Sequence, residues 1–133
     1  MSQGNREWVN RVHAAFKAKD LDALVALHDP QCEISPLIAH METGGSYRGL
    51  EGVRRFWDDI HGAFTDWLPV PEDAREFGDT LIVKLHFRGR GTGSGVRIDR
   101  PVWQAVKLQD GRAVWWAIFV SETEALEAVG VRP

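Results

Sequence analysis

Tyr47-Arg48-Gly49-Leu50-Glu51-Gly52-Val53-Arg54-Arg55-Phe56 is the stretch whose reading decides the fold. It opens a helix predicted over about Leu50 to Phe64. Val53, Phe56, Trp57, Ile60 and Phe64 fall at i, i+3, i+4, i+7 and i+11, the strongest helical period in the chain. Arg54, Arg55, Asp58 and Asp59 fall mainly off that stripe and are expected to face water. Two helical patterns and a short strand precede this segment; four strand patterns and a capped helix follow it. That order predicts an α+β fold in which three helices of the N-terminal half pack on a strongly curved antiparallel sheet, with a short helix at the C-terminal end. Such a cone encloses an apolar hollow.

Upstream, Trp8, Val12 and Phe16 lie at i, i+4 and i+8 on one face of a helix expected from about Gln3 to Lys19. Asp20 is placed to cap a second helix whose buried side is Leu21, Leu24, Val25 and Leu27. Asp29-Pro30 is expected to end it, because the proline ring disfavours a helical residue before it. Cys32 to Ala39 reads as a strand, with Pro36 marking an edge or bulge, and Gly44-Gly45 as a loop.

Downstream, Leu68 to Phe77 is a weak strand pattern and Thr80 to Arg90 a clear one. In the latter Leu81, Val83, Leu85 and Phe87 alternate with Ile82, Lys84, His86 and Arg88. Gly89 to Gly95 is a glycine-rich connection, followed by strands over Arg97–Gln109 and Arg112–Val120 joined by Asp110-Gly111, a strong hairpin signal. Ser121-Glu122-Thr123-Glu124 is a capping box, and Gly130 stops the helix it starts.

Composition narrows the class. At 133 residues, 44% hydrophobic and 26% charged, the expectation is one domain over residues 1–133 with a real core. The net charge is -3 and no basic stripe is present, which argues against nucleic acid as a partner. Arg6, Glu7 and Arg11 stand where a signal peptide needs apolar residues, and the longest apolar run, Ala113 to Val120, is too short for a bilayer. A cytoplasmic protein without membrane partners is expected. Cys32 is alone, and the five histidines show no metal spacing, so neither a disulfide, a metal nor a cofactor is expected. Gly89, Gly91, Gly93 and Gly95 alternate ahead of a strand rather than a helix, which excludes a nucleotide loop.

The residues Tyr47-Arg48-Gly49-Leu50-Glu51-Gly52, the Gly91 to Gly95 connection, Asp110-Gly111-Arg112 and Glu124-Ala125-Leu126-Glu127-Ala128-Val129-Gly130 together resemble the SnoaL-like, polyketide cyclase-like branch of the NTF2-like (cystatin-like) superfamily. The resemblance covers nearly the whole chain and implies the cone fold and an isologous dimer. It does not fix an activity, since the superfamily holds isomerases, cyclases, dehydratases, epoxide hydrolases and non-catalytic domains. Where ketosteroid isomerases carry an aspartate base, the matching run here is Ile34-Ser35-Pro36, so the position holds Ser35, which cannot abstract a proton near pH 7 unaided. Where limonene epoxide hydrolases carry an aspartate two residues after a tryptophan, Trp116 is followed by Ile118.

Two readings of function follow. In the first, the chain is a cofactor-independent acid–base enzyme, cyclase-, isomerase- or dehydratase-like, acting on a small apolar carbonyl or polyketide-like compound. Its expected catalytic groups are Glu33, a carboxylate desolvated if its strand face looks inward, and His28 at the end of the second helix. Gln104, a polar group in the apolar row of Val102 and Val106, is expected to orient a ligand carbonyl. Trp57, Trp67 and Trp116 are the expected walls, with Ser35 and Ile118 at the positions above. His13, His40 and His61 look peripheral. In the second reading the chain is a non-catalytic ligand-binding or dimeric assembly domain. In both, the outer sheet face bearing Lys84, Trp103 and Trp115 is expected to meet a second copy.

Overall fold

The computed structural model describes residues 3–36 and 46–131. The expected end of the first strand beyond Pro36, the Gly44-Gly45 loop and His40 lie outside the described residues. Helix α1, Gln3–Ala18, buries Trp8, Val9, Ala15 and Phe16 on one stripe. Lys19 takes a left-handed φ of 56°, and the chain turns directly into α2, Leu21–Ala26. The Asp20 carboxylate accepts the Ala23 N–H at 3.1 Å, as an N-cap should.

α2 stops earlier than the Asp29-Pro30 pair predicted. Leu27 closes it, and the Leu27 carbonyl is then taken by the Trp8 indole N–H at 3.0 Å and the Ala113 N–H at 2.9 Å. The next strand therefore begins at once: β1 is His28–Ser35 and already contains Asp29 and Pro30. Its pairing is irregular between His28 and Glu33, where the proline has no N–H to give.

After β2, Tyr47–Arg48, comes α3, Gly49–Ala63, burying Gly52, Val53, Phe56 and Ile60. The glycines of the opening stretch have steric reasons. Gly49 has a φ of +68°, and a Cβ there would stand 3.2 Å from the Pro30 carbonyl oxygen. A Cβ on Gly52 would meet the Tyr47 backbone at 3.0 Å. The stretch thus lets α3 start tight against β1 and β2.

The remaining elements are β3 (Phe64–Phe77), β4 (Thr80–Gly91), β5 (Arg97–Gln109), β6 (Arg112–Phe119) and the helix α4 (Glu122–Ala128). Asp110 and Gly111 both have positive φ, 53° and 78°, which suits a two-residue hairpin turn between β5 and β6. The Ser121 hydroxyl accepts the Glu124 N–H at 3.2 Å.

The strands form one sheet in the order β2-β1-β6-β5-β4-β3. It corrects the expected strongly curved antiparallel sheet on two counts. β1 runs parallel to β6, so the sheet is mixed. Nor is the sheet strongly curved. Strong bending is produced by bulges within central strands, whereas the central β4–β5 ladder runs unbroken through eleven pairs from Thr80↔Lys107 to Arg90↔Arg97. The irregularities sit in β3, in β1 and near the β5–β6 turn.

The alternation in β4 places Leu81, Val83 and Leu85 in the main core with α1, α2 and α3. Ile82 goes to the opposite face, where it packs with Ala105, Ala125 and Leu126. α4 therefore covers part of the outer sheet face that the sequence left for a second copy. Trp103, Trp115 and Phe119 are partly buried around this smaller cluster. Among the described residues no helix is long and apolar enough to cross a membrane.

Candidate functional site

A cavity of about 130 Å³ lies between the first three helices and the inner sheet face. A single water needs only about 10–15 Å³, so the space suits a small organic molecule. Its walls come from distant parts of the sequence: Trp8 and Phe16 from α1, Phe56 from α3, Trp67 from β3, Phe87 from β4 and Trp116 from β6. Phe56 meets Trp116 edge-on at 5.6 Å, and Trp67 packs on Phe87 at 4.6 Å. These contacts hold the rings in place without filling the hollow.

Against this apolar lining stand four polar side chains, His13, His28, Arg100 and Gln104. His28 is buried, and both of its nitrogens are committed. Nδ1 donates to the Leu24 carbonyl at 2.9 Å, since a carbonyl oxygen only accepts. That tautomer leaves Nε2 as an acceptor, and it takes the Trp116 indole N–H at 2.9 Å. Burial holds the imidazole below its ordinary pKa of 6.5, opposed by the bond to Leu24. His28 is therefore a neutral brace between α2 and β6, with no lone pair free for a substrate proton.

His13 differs. Its Nε2 is the one buried side-chain nitrogen or oxygen among the described residues that has no partner. Burial first, and the charge of Lys17 second, lower its pKa, so its ring is neutral at pH 7. Gln104 stands at 6% exposure on β5 between Val102 and Val106, and its carboxamide forms no hydrogen bond to any described residue. Arg100 shares that strand face four residues earlier, at the exposed edge of the cavity.

The structure brings Gln104, Trp67, Trp116, Ile118 and His28 onto one wall. Glu33, Ser35 and Trp57 are not on it. Cys32 and Ile34 turn into the core, so the alternation of β1 sends Glu33 and Ser35 the other way. Glu33 is half-exposed and pairs with Arg48 at 3.1 Å across β1 and β2. Trp57 lies beside the cavity, stacked on Phe16 at 5.2 Å and against His61 at 4.2 Å.

His13, expected at the periphery, is the residue that sequence reasoning missed. The signal was present: His13 is four residues after Val9 and three before Phe16, on the same helical face. On the outer face, His86 sits between Glu72, at 2.8 Å, and Asp99, while Lys84 reaches Glu72 at 3.6 Å. Among the described residues no group of three or more histidine, cysteine or acidic side chains is arranged to hold a metal.

Comparison with known proteins places this architecture. An NTF2-like protein of unknown function from Burkholderia pseudomallei superposes with a TM-score of 0.79 at 20% identity, covering 98% of this chain and 100% of its own. A protein from Jannaschia, provisionally called a SnoaL-like polyketide cyclase, gives 0.75 at 20% identity over 100% and 98% of the two chains. TerC, co-crystallised with polyporic acid, gives 0.78 at 17% identity over 94% and 97%. At such identities the likeness establishes the fold alone. No curated protein gives a significant match. The family model described as the SnoaL-like domain matches residues 9–116, the segment that runs from within α1 to Trp116 in β6 and carries most of the cavity lining, and the chain belongs to that family.

Proposed function

We propose that the cavity binds a small, mostly apolar molecule carrying at least one oxygen that the Gln104 carboxamide can hydrogen-bond. One observation carries this reading: the Gln104 carboxamide, without a partner among the described residues, stands in a largely apolar wall. The Gln104 amide atoms are open to the cavity space, so a ligand oxygen placed there gains a hydrogen bond, a net contribution of about 0.5–1.5 kcal/mol. The aromatic rings around the hollow suit a flat ring system. The co-crystallisation of TerC with polyporic acid and the provisional polyketide cyclase name of the Jannaschia protein support a ligand of that general kind. Soaking with 2-tetralone and titration by calorimetry test it. Binding that weakens at least several-fold in Gln104→Met supports the reading; no binding of any aromatic carbonyl compound contradicts it.

A second reading, acid–base turnover without a cofactor, is favoured by His13. Its Nε2 has no partner among the described residues, and burial keeps the ring unprotonated near neutrality, the state in which a base accepts a proton. A C–H proton beside the ligand carbonyl would pass to Nε2, and the enolate oxygen would accept from the Gln104 N–H. Deuterium exchange into 2-tetralone in D2O, followed by NMR, reads this out; exchange accelerated by the protein and lost in His13→Gln is the expected result. A dimer through the uncovered part of the outer sheet face belongs to the same proposal, and sedimentation measures it.

A further inference from the structure

Resting on the pocket reading above, we propose that the ligand is an anion: an apolar ring compound whose carboxylate, enolate or phenolate oxygen is held by Arg100 at the cavity mouth. Among the described residues that line the cavity there is no aspartate or glutamate. Arg100 supplies the one fixed charge among them, and both Arg100 and Gln104 offer N–H donors. No ion pair of Arg100 with a described residue exists, whereas Arg11, Arg48, Arg54 and Arg75 each reach a carboxylate elsewhere. A guanidinium left open beside an apolar hollow is complementary to a ligand that is greasy over most of its surface and negative at one end.

The other arginines at this end of the hairpin lie on the opposite face. Arg100 is opposite Phe87 in the β4–β5 ladder, Arg88 is opposite Asp99, and Arg90 is directly opposite Arg97. Like charges facing each other across strands are unfavourable, so the Arg90–Arg97 pair does not serve the stability of the hairpin. Neither they nor Arg88 form an ion pair among the described residues. By the alternation of the ladder these three side chains share the outer face with Ile82, Lys84 and His86, so the charge at the cavity mouth is that of Arg100 itself.

The test compares two matched probes, 2-naphthoate and 2-naphthamide, which share a ring and differ in charge. Calorimetry is run on the folded wild-type chain and on Arg100→Gln, with circular dichroism confirming that the variant keeps its fold. The expected result is that the acid binds about five- to ten-fold more tightly than the amide, a gap of about 1–1.4 kcal/mol. In Arg100→Gln the ratio should fall towards one while the amide's Kd stays within about two-fold. The wild-type preference should also shrink as salt rises. An amide that binds as well as the acid, or an acid preference that survives in Arg100→Gln, overturns the anion assignment and leaves the pocket standing. Failure of both probes to bind the wild type removes the pocket reading, and this inference with it.

Discussion

The two faces of the β4–β5 ladder use the same alternation to opposite ends. On the outer face the polar side chains satisfy one another: His86 lies between Glu72 and Asp99, and Lys84 meets both Glu72 and the Trp103 ring. On the inner face Leu81, Val83, Leu85, Val102 and Val106 are sealed, and the polar residue among them, Gln104, has no partner among the described residues. Outer-face charges are ordinary surface chemistry. The contrast between the faces is a carboxamide that has no partner among the described residues and is open to the cavity in an otherwise sealed apolar row.

The largest effect should come from the inner wall. Trp116→Ala opens a cavity and strips the His28 Nε2 of its donor, so unfolding in urea should show a loss of about 3–5 kcal/mol. Trp116→Phe keeps an aromatic ring but loses the N–H and part of the indole volume; about 1–3 kcal/mol is expected, chiefly from the unpaired acceptor. Equal losses for the two variants would mean that the His28 bond carries the whole effect, and a Trp116→Phe loss near zero that it carries none.

Acidification should act through the same wall. His28 and His13 both titrate below 6.5 in the folded chain, so the unfolded chain binds more protons in that window. Their contribution is whole above pH 6.5 and is lost as pH falls towards the folded values. Thermal unfolding from pH 8 to 5 should show Tm falling below about 6.5, and His28→Asn should flatten part of that slope. The outer face should respond least: His86→Ala and Lys84→Ala are expected to change stability by less than about 1 kcal/mol each. A larger loss there would erase the contrast between the faces.

Much of this was legible in the chain. The stripe of Val53, Phe56 and Ile60, the Asp110-Gly111 turn and the Ser121 cap are local signals, and each is realised. What failed depended on non-local geometry. The parallel pairing of β1 with β6 joins segments about 80 residues apart in sequence, which no local pattern encodes. The facing of Glu33 could not be read because Pro30 breaks the register of β1, and one residue of slip exchanges the faces of a strand. The early close of α2 depends on the Trp8 and Ala113 donors that claim the Leu27 carbonyl. Gln104, Trp67, Trp116 and Ile118 line the cavity, and so does His13, whose helical spacing from Val9 and Phe16 sets it on the same face.

The most direct test of the central claim is the stability of ligand-free Gln104→Met, measured by urea unfolding against the wild type. Methionine has similar volume and no amide to desolvate. If the carboxamide is held unpaired for a ligand, the variant should be more stable by about 1 kcal/mol. A variant less stable by that amount would show that Gln104 is already satisfied in the free protein, and the claim that this wall waits for a ligand would fail.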